Sequence, residues 1–371
     1  MRMRQTRCLA CLLMVSSLGL LSCGLSEVQQ APPALPALAP ANDVLDVESL
    51  GLKPLWRADL GRIGPTRLAA LYAVDGLVIA ETPSGEVHML RAATGQWQTV
   101  KSFTHGLDVP PVAAGKKVYF VSGNRVYQFE PETGQLTRGY SPQFGLSTPP
   151  VPFEDGVLLA GGNGHLAGVR VIDWDQRWML SITGSILHRP VLDDDNLFVA
   201  ASEVICVEAE NGDELWRWEP DRPSRISSGV AVQGETLYVG DNRGFLYALD
   251  TDSGSQQWRK PLGAPLVGRP EVVGGGILVF TGEPLAACVK LNAQGEMLWT
   301  CPGVVRLLAR GGEVLYVLNS DNSVSSVSAQ TGEEIWRENL PQDCHAAGDP
   351  ERPMFYVGDS QGSIVAFLKL D

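Results

Sequence analysis

The sequence predicts an all-β chain, folded as an eight-bladed β-propeller of four-stranded antiparallel blades. Three observations carry that prediction. Tryptophans recur with a period near 40 residues, each period reads as short alternating strands, and the last period lacks a strand that the start of the body supplies.

The ladder runs Trp56, position 99, position 138, Trp178, Trp216, Trp258, Trp299 and Trp336. Six of the nine tryptophans stand on it. A glycine corner precedes several rungs, as in Asn211-Gly212, Ser253-Gly254, Gln294-Gly295 and Thr331-Gly332. Gly95 and Gly134 supply the corner without the matching tryptophan, and Trp178 stands without a matching glycine. Within a unit, a short apolar run follows Pro or Gly, as in Arg189-Pro190-Val191-Leu192. Alternating strands follow, as from Val118 to Phe129, with Gly, Asp or Asn turns between them. Period-2 alternation broken by such turns means antiparallel hairpins. No amphipathic helical run of 12 residues follows residue 50. The last unit, Met354 to Phe367, stops at Asp371 before its tryptophan strand. Leu55 to Leu60 supplies that strand from the other end, which closes the ring and removes its free edges. The propeller is therefore expected over 51–371, and eight units of 40 fill 320 of those 321 residues.

Ahead of the body, 1–22 read as a lipoprotein signal peptide. Arg2, Arg4 and Arg7 make a positive start, and Leu9 to Leu21 is apolar but too short to span a bilayer. Leu20-Leu21-Ser22-Cys23 resembles the bacterial lipobox, which implies cleavage before Cys23 and lipidation of its thiol and new amine. Gly24 follows instead of the aspartate that retains some lipoproteins in the inner membrane, which favours the outer membrane. Residues 23–50 then form a Pro/Ala-rich tether, expected to be extended. The formal charge is −13, and −16 once the three leader arginines are gone. Such a chain lacks the basic face that a nucleic-acid binder needs, and its membrane contact is expected through the anchor only.

Several motifs mislead. Gly358-Asp359-Ser360-Gln361-Gly362 matches a nucleophile elbow, but strands flank it on both sides where a helix should follow. Gly162-Asn163-Gly164-His165-Leu166-Ala167 fits a loose dinucleotide fingerprint, yet a strand follows it too. Asp193-Asp194-Asp195-Asn196 reads as a solvated turn rather than a calcium loop. The histidines lack zinc spacing. No catalytic residue, metal or cofactor is expected. Cys288 and Cys301 lie symmetrically about the turn at Gln294-Gly295 and form a candidate cross-strand disulfide, with two reduced thiols on one face as the alternative.

The pattern Ala248-x-Asp250-x-x-Ser253-Gly254-x-x-x-Trp258 resembles the tryptophan-docking motif of the PQQ-like (quinoprotein-like) propellers, and the resemblance covers about 51–371. It implies that the tryptophans pack between blades against small residues. Cys206, at the place of Ala248 in its own unit, is then a buried packing residue. One branch of that family, the quinoprotein dehydrogenases, binds pyrroloquinoline quinone and calcium. Another, the BamB-type outer-membrane assembly lipoproteins, has a lipobox, an eight-bladed ring and no cofactor. Length, leader and blade number match the second.

Partners of propellers dock on entry loops or at the channel mouth. The entry segments here carry arginines, including Arg189, Arg225, Arg269 and Arg306, on an otherwise acidic chain. Arginine is enriched at binding hot spots. The BamB-type branch uses two adjacent entry loops, the first with leucines and an arginine, which places Ile186, Leu187 and Arg189 as candidate partner contacts. Its second loop carries aspartates, whereas this chain has Arg225 and Ser227 there. The expected role is a lipid-anchored, non-catalytic scaffold at the periplasmic face of the outer membrane, meeting a barrel-assembly protein. A different envelope partner, or a small ligand or quinone at the channel mouth, is the alternative.

Overall fold

The structure is a computed structural model and describes residues 52–60, 68–221, 224–350 and 352–369. The signal, Cys23 and the tether lie outside the described residues. Alternating apolar runs between Gly and Asx turns become strands, and among the described residues these number 32, with no helix. They form eight four-stranded antiparallel sheets, in seven of which every strand pairs with its sequence neighbours. Blades 1 to 7 span 70–102, 109–138, 151–181, 191–218, 226–261, 266–302 and 304–339. Blade 8 combines His345–Gly348, Met354–Gly358 and Ser363–Lys369 with Leu52–Asp59, so the ring closes as the sequence predicts, the closing strand starting slightly earlier.

Blade 5 shows why the middle strands are apolar on both faces. Its strands, from channel to rim, are Ile226–Gln233, Thr236–Asp241, Phe245–Asp250 and Gln256–Pro261. Leu237, Val239, Tyr247 and Leu249 pack toward blade 4 with Phe198 and Trp216. Tyr238, Leu246 and Ala248 pack toward blade 6 with Leu266, Ile277 and Val279. Alternate side chains thus serve alternate neighbours, and no face of the two middle strands meets water.

The ladder tryptophans join one blade to the next. Trp216 of blade 4 donates its indole N–H to Thr251 O of blade 5 at 2.7 Å, and its ring lies on Gly254. Gly254 has φ +67°, and a Cβ there would stand 2.5 Å from the ring. Left-handed backbone and close approach therefore both call for glycine. Trp56 repeats the contact on Ala92 O and Gly95, Trp178 on Ala209 O and Gly212, and Trp299 on Ala329 O and Gly332. Trp258 does so on Ala293 O and Gly295. Each of these corner glycines receives the tryptophan of the preceding blade. This accounts for Gly95, whose own unit has Thr99 on the rung. It also accounts for Gly134, where the preceding rung is that same Thr99 and a Cβ would meet nothing within 4 Å. Small residues stand opposite the indoles within a blade, Ala248 against Trp258, Gly168 against Trp178 and Cys206 against Trp216. Cys206 is wholly buried there.

Arg138 occupies the blade 2 rung, and the gap is filled from the other side. Trp174, at the blade 3 corner with φ +56°, lays its ring on Gly139. The closing strand is held twice. It pairs with Ser363–Lys369, with Trp56 opposite Ala366, and it docks Trp56 on blade 1. Arg57 Nε adds a bond to Ser363 Oγ at 2.7 Å.

Trp216→Ala is expected to cost about 3–5 kcal/mol, the usual range for emptying a buried aromatic site, and Gly254→Ala to destabilise by backbone strain and overlap together. Urea denaturation followed by tryptophan fluorescence and circular dichroism measures both; a Trp216→Ala loss under about 1 kcal/mol would contradict the docking role.

Candidate partner-binding site at the channel mouth

The innermost strands start at one face of the ring, and their first residues surround the mouth of the channel. A chain of side-chain-to-carbonyl bonds joins them. Ser147 Oγ donates to Ile186 O at 2.6 Å, and Ser227 Oγ to Leu266 O at 2.6 Å. His188 Nε2 bonds Ser227 O at 3.1 Å, and His345 Nε2 bonds Leu68 O at 3.1 Å. Since a carbonyl only accepts, each Nε2 carries the proton. Burial lowers the His188 pKa, which keeps that imidazole neutral. Arg306 Nη2 donates to Ala346 O at 2.7 Å, and Arg189 Nε reaches back to Pro150 O at 3.2 Å.

Bulges turn these strands outward. Pairing skips from Ile226 to Val230 in blade 5 and from Val267 to Glu271 in blade 6. Of the unpaired residues, Ser227, Gly268 and Arg269 keep surface at the mouth, while Ser228, Gly229 and Pro270 are buried beneath it. Between blades 4 and 5 lies a cleft of about 240 Å³ lined in part by Leu187, His188, Arg225, Ser227 and Asn242. Arg225 and Asn242 hold the second wall, the Arg225 N–H donating to Asn242 Oδ1 at 3.0 Å and the Asn242 N–H to Arg225 O at 2.9 Å.

The residues named from sequence separate by environment. Ile186 is fully buried between blades 3 and 4 and shapes the loop without offering surface. Leu187 is 69% exposed and supplies the apolar face. Arg225 and Arg269 are exposed, and Arg189 is half-buried. Burial, with the Arg269 charge nearby, pushes Arg189 down to about 10. Several rim arginines have acidic partners, as in Arg177 with Asp155, Arg217 with Glu203 and Arg337 with Asp321, whereas Arg138 and Arg259 form no ion pair among the described residues. Further along the inner strands Arg310 faces Glu271 at 3.9 Å. Arg189, Arg225, Arg269 and Arg306 form no ion pair among the described residues.

Sequence reasoning did not foresee that the Arg269 charge reaches Arg189, because 80 residues and a whole blade separate them. Only the repeated apolar-x-Arg pattern of Leu187-His188-Arg189 and Val267-Gly268-Arg269 hints at it. The misleading motifs fall on turns. Asp194 (φ +49°) belongs to the hairpin joining Val191–Asp193 to Asn196–Ala200. Asp359 Oδ1 caps its own turn by accepting the Gln361 and Ser363 N–H groups. The segment from Gly162 joins Gly156–Ala160 to His165–Arg170. Among the described residues, no three of His, Cys, Asp or Glu are placed to hold a metal ion.

The family model described as "Outer membrane protein assembly factor BamB" matches residues 43–216 and 200–347. A protein of that name from Burkholderia pseudomallei is 25% identical over 293 residues, covering 70% of this chain and 76% of that relative. Its namesake from Moranella endobia is 27% identical over 173 residues, 42% of this chain, and the chain spans only 44% of that relative. A tetrathionate hydrolase from Acidithiobacillus ferrooxidans is 23% identical over 319 residues, 77% of this chain and 60% of the relative. Among solved structures, BamB from Moraxella catarrhalis shares the fold with a TM-score of 0.66 at 14% identity, over 85% of this chain and 97% of that one.

Proposed function

The chain belongs to the family of outer membrane protein assembly factor BamB, and from that premise we propose that it is a non-catalytic scaffold that docks another envelope protein, a component of outer-membrane β-barrel assembly. The observation that carries the reading is the wall of the cleft between blades 4 and 5. There Leu187 stands exposed with Arg225 in the second wall and Arg189 two positions further along the chain, neither arginine with an acidic partner among the described residues. An exposed apolar anchor next to guanidinium groups is the composition of an interface hot spot. The acidic body and the apolar anchor together favour a specific protein surface over broad electrostatic adhesion. Tethering through lipidated Cys23 would hold this face near the periplasmic side of the outer membrane.

The test is capture of partners by the full-length protein from detergent-solubilised envelope, read by mass spectrometry. Enrichment of the barrel-assembly protein is expected, reduced roughly tenfold or more by Leu187→Asp or Arg189→Ala, the scale of a single hot-spot residue. Equal capture by the variants and the parent would remove the site. In the same fractions, Cys23→Ser is expected to leave the membrane pellet for the soluble extract; retention in the pellet would sink the anchor.

An exported chain sits where disulfides persist. Cys288 and Cys301 stand opposite each other in the blade 6 register, both as buried free thiols, and burial raises both pKa values. We propose that they join after export, a closure worth about 3 kcal/mol for a loop of this size. Protein from the envelope should then weigh two hydrogens less, a difference abolished by Cys301→Ser. Alkylation of both cysteines in unreduced, denatured protein would exclude the bond.

A further inference from the structure

Blades 4 and 6 present the same short pattern on either side of blade 5. Leu187-His188-Arg189 and Val267-Gly268-Arg269 each place an exposed apolar residue two positions before an arginine, Leu187 at 69% and Val267 at 37% exposure. Between them blade 5 contributes Gly229. A Cβ at Gly229 would lie 3.2 Å from His188 Cβ and 3.4 Å from Arg269 Cβ, so the side chains of blades 4 and 6 converge across this glycine. Gly268, at φ +68°, and the bulge from Val267 to Glu271 aim the blade 6 segment into that space. His188 is occupied with Ser227 O, and Arg189 uses Nε on Pro150 O. The remaining guanidinium donors of Arg189, and all those of Arg269, have no carboxylate among the described residues.

Burial lowers the Arg189 pKa, and the positive charge of exposed Arg269 lowers it further, as like charges do when they share one side of a mouth. Neither arginine has an acidic partner among the described residues, so both can take a carboxylate from outside. We propose that the mouth over Gly229 is a carboxylate site, which takes an acidic residue flanked by apolar residues from an extended segment of the partner protein. This rests on the scaffold reading above and specifies what the partner presents. The planar guanidinium forks match a carboxylate in bidentate fashion. Leu187 and Val267 receive the apolar neighbours, which distinguishes a peptide from a free oxyanion.

The experiment titrates the full-length protein, in detergent, with an end-capped Ala-Leu-Asp-Leu-Ala peptide, its Asp-to-Asn analogue and inorganic phosphate, by isothermal calorimetry. The Asp peptide is expected to bind at least tenfold tighter than the Asn analogue and than phosphate. Arg269→Gln should erase that preference, whereas Arg138→Gln on the rim should leave it within twofold. Equal affinity for the Asp and Asn peptides overturns the proposal. Phosphate binding as tight as the Asp peptide also overturns it, in favour of a small-oxyanion site. Partner capture separates the two readings. If Leu187→Asp abolishes capture while Arg269→Gln leaves it unchanged, the scaffold reading stands and the carboxylate site falls.

Discussion

The contact on which the ring depends is an indole laid on a left-handed glycine of the next blade. A four-stranded sheet of this size is buried on both faces and has no core of its own. Its middle strands send alternate side chains to the blade before and the blade after, as Leu237 and Tyr238 do in blade 5. Something must therefore fix the angle and spacing between sheets. The indole does so with one hydrogen bond to a corner carbonyl and one close face-on contact, both at the rim where leverage is greatest. Glycine is required on the receiving side because any side chain would occupy the volume of the ring.

The fold was legible because this contact leaves a periodic trace. Tryptophan and glycine are distinctive residues, and a period near 40 repeated across the chain gave blade number, strand number and the mode of closure. The direction of each contact was not legible. Corner glycine and tryptophan sit close together in sequence, so they read as one motif, yet the glycine of each motif serves the preceding blade. Trp174 was missed for a related reason. It lies off the ladder, and its service to Gly139 depends on the absence of a tryptophan at position 138.

The channel mouth was legible in outline and not in detail. Arginines in entry segments are visible in a sequence, but which of them meet depends on how the bulges turn each inner strand. Ile186 and Leu187 are neighbours with similar side chains, and only the backbone direction decides that one is core and the other surface. The serine, histidine and arginine bridges that lace the inner strands use residue types too common to signal themselves. They nonetheless give the mouth a fixed geometry, which suits rigid presentation of a binding surface better than an induced fit.

The strand that closes the ring has a consequence in time. Leu52–Asp59 is the first of the described strands to be made, yet its partner Ser363–Lys369 is the last, with Arg57 and Ser363 separated by 306 positions. Throughout synthesis the opening strand waits without a mate, and the register shift beside Pro54 interrupts the regular edge that a stray chain would copy. Seven blades can stack progressively as they emerge, but the circle becomes a circle only in a single final event. An unfinished or truncated copy is therefore left with an unpaired opening strand and an uncovered apolar blade face, the kind of surface through which incomplete chains aggregate.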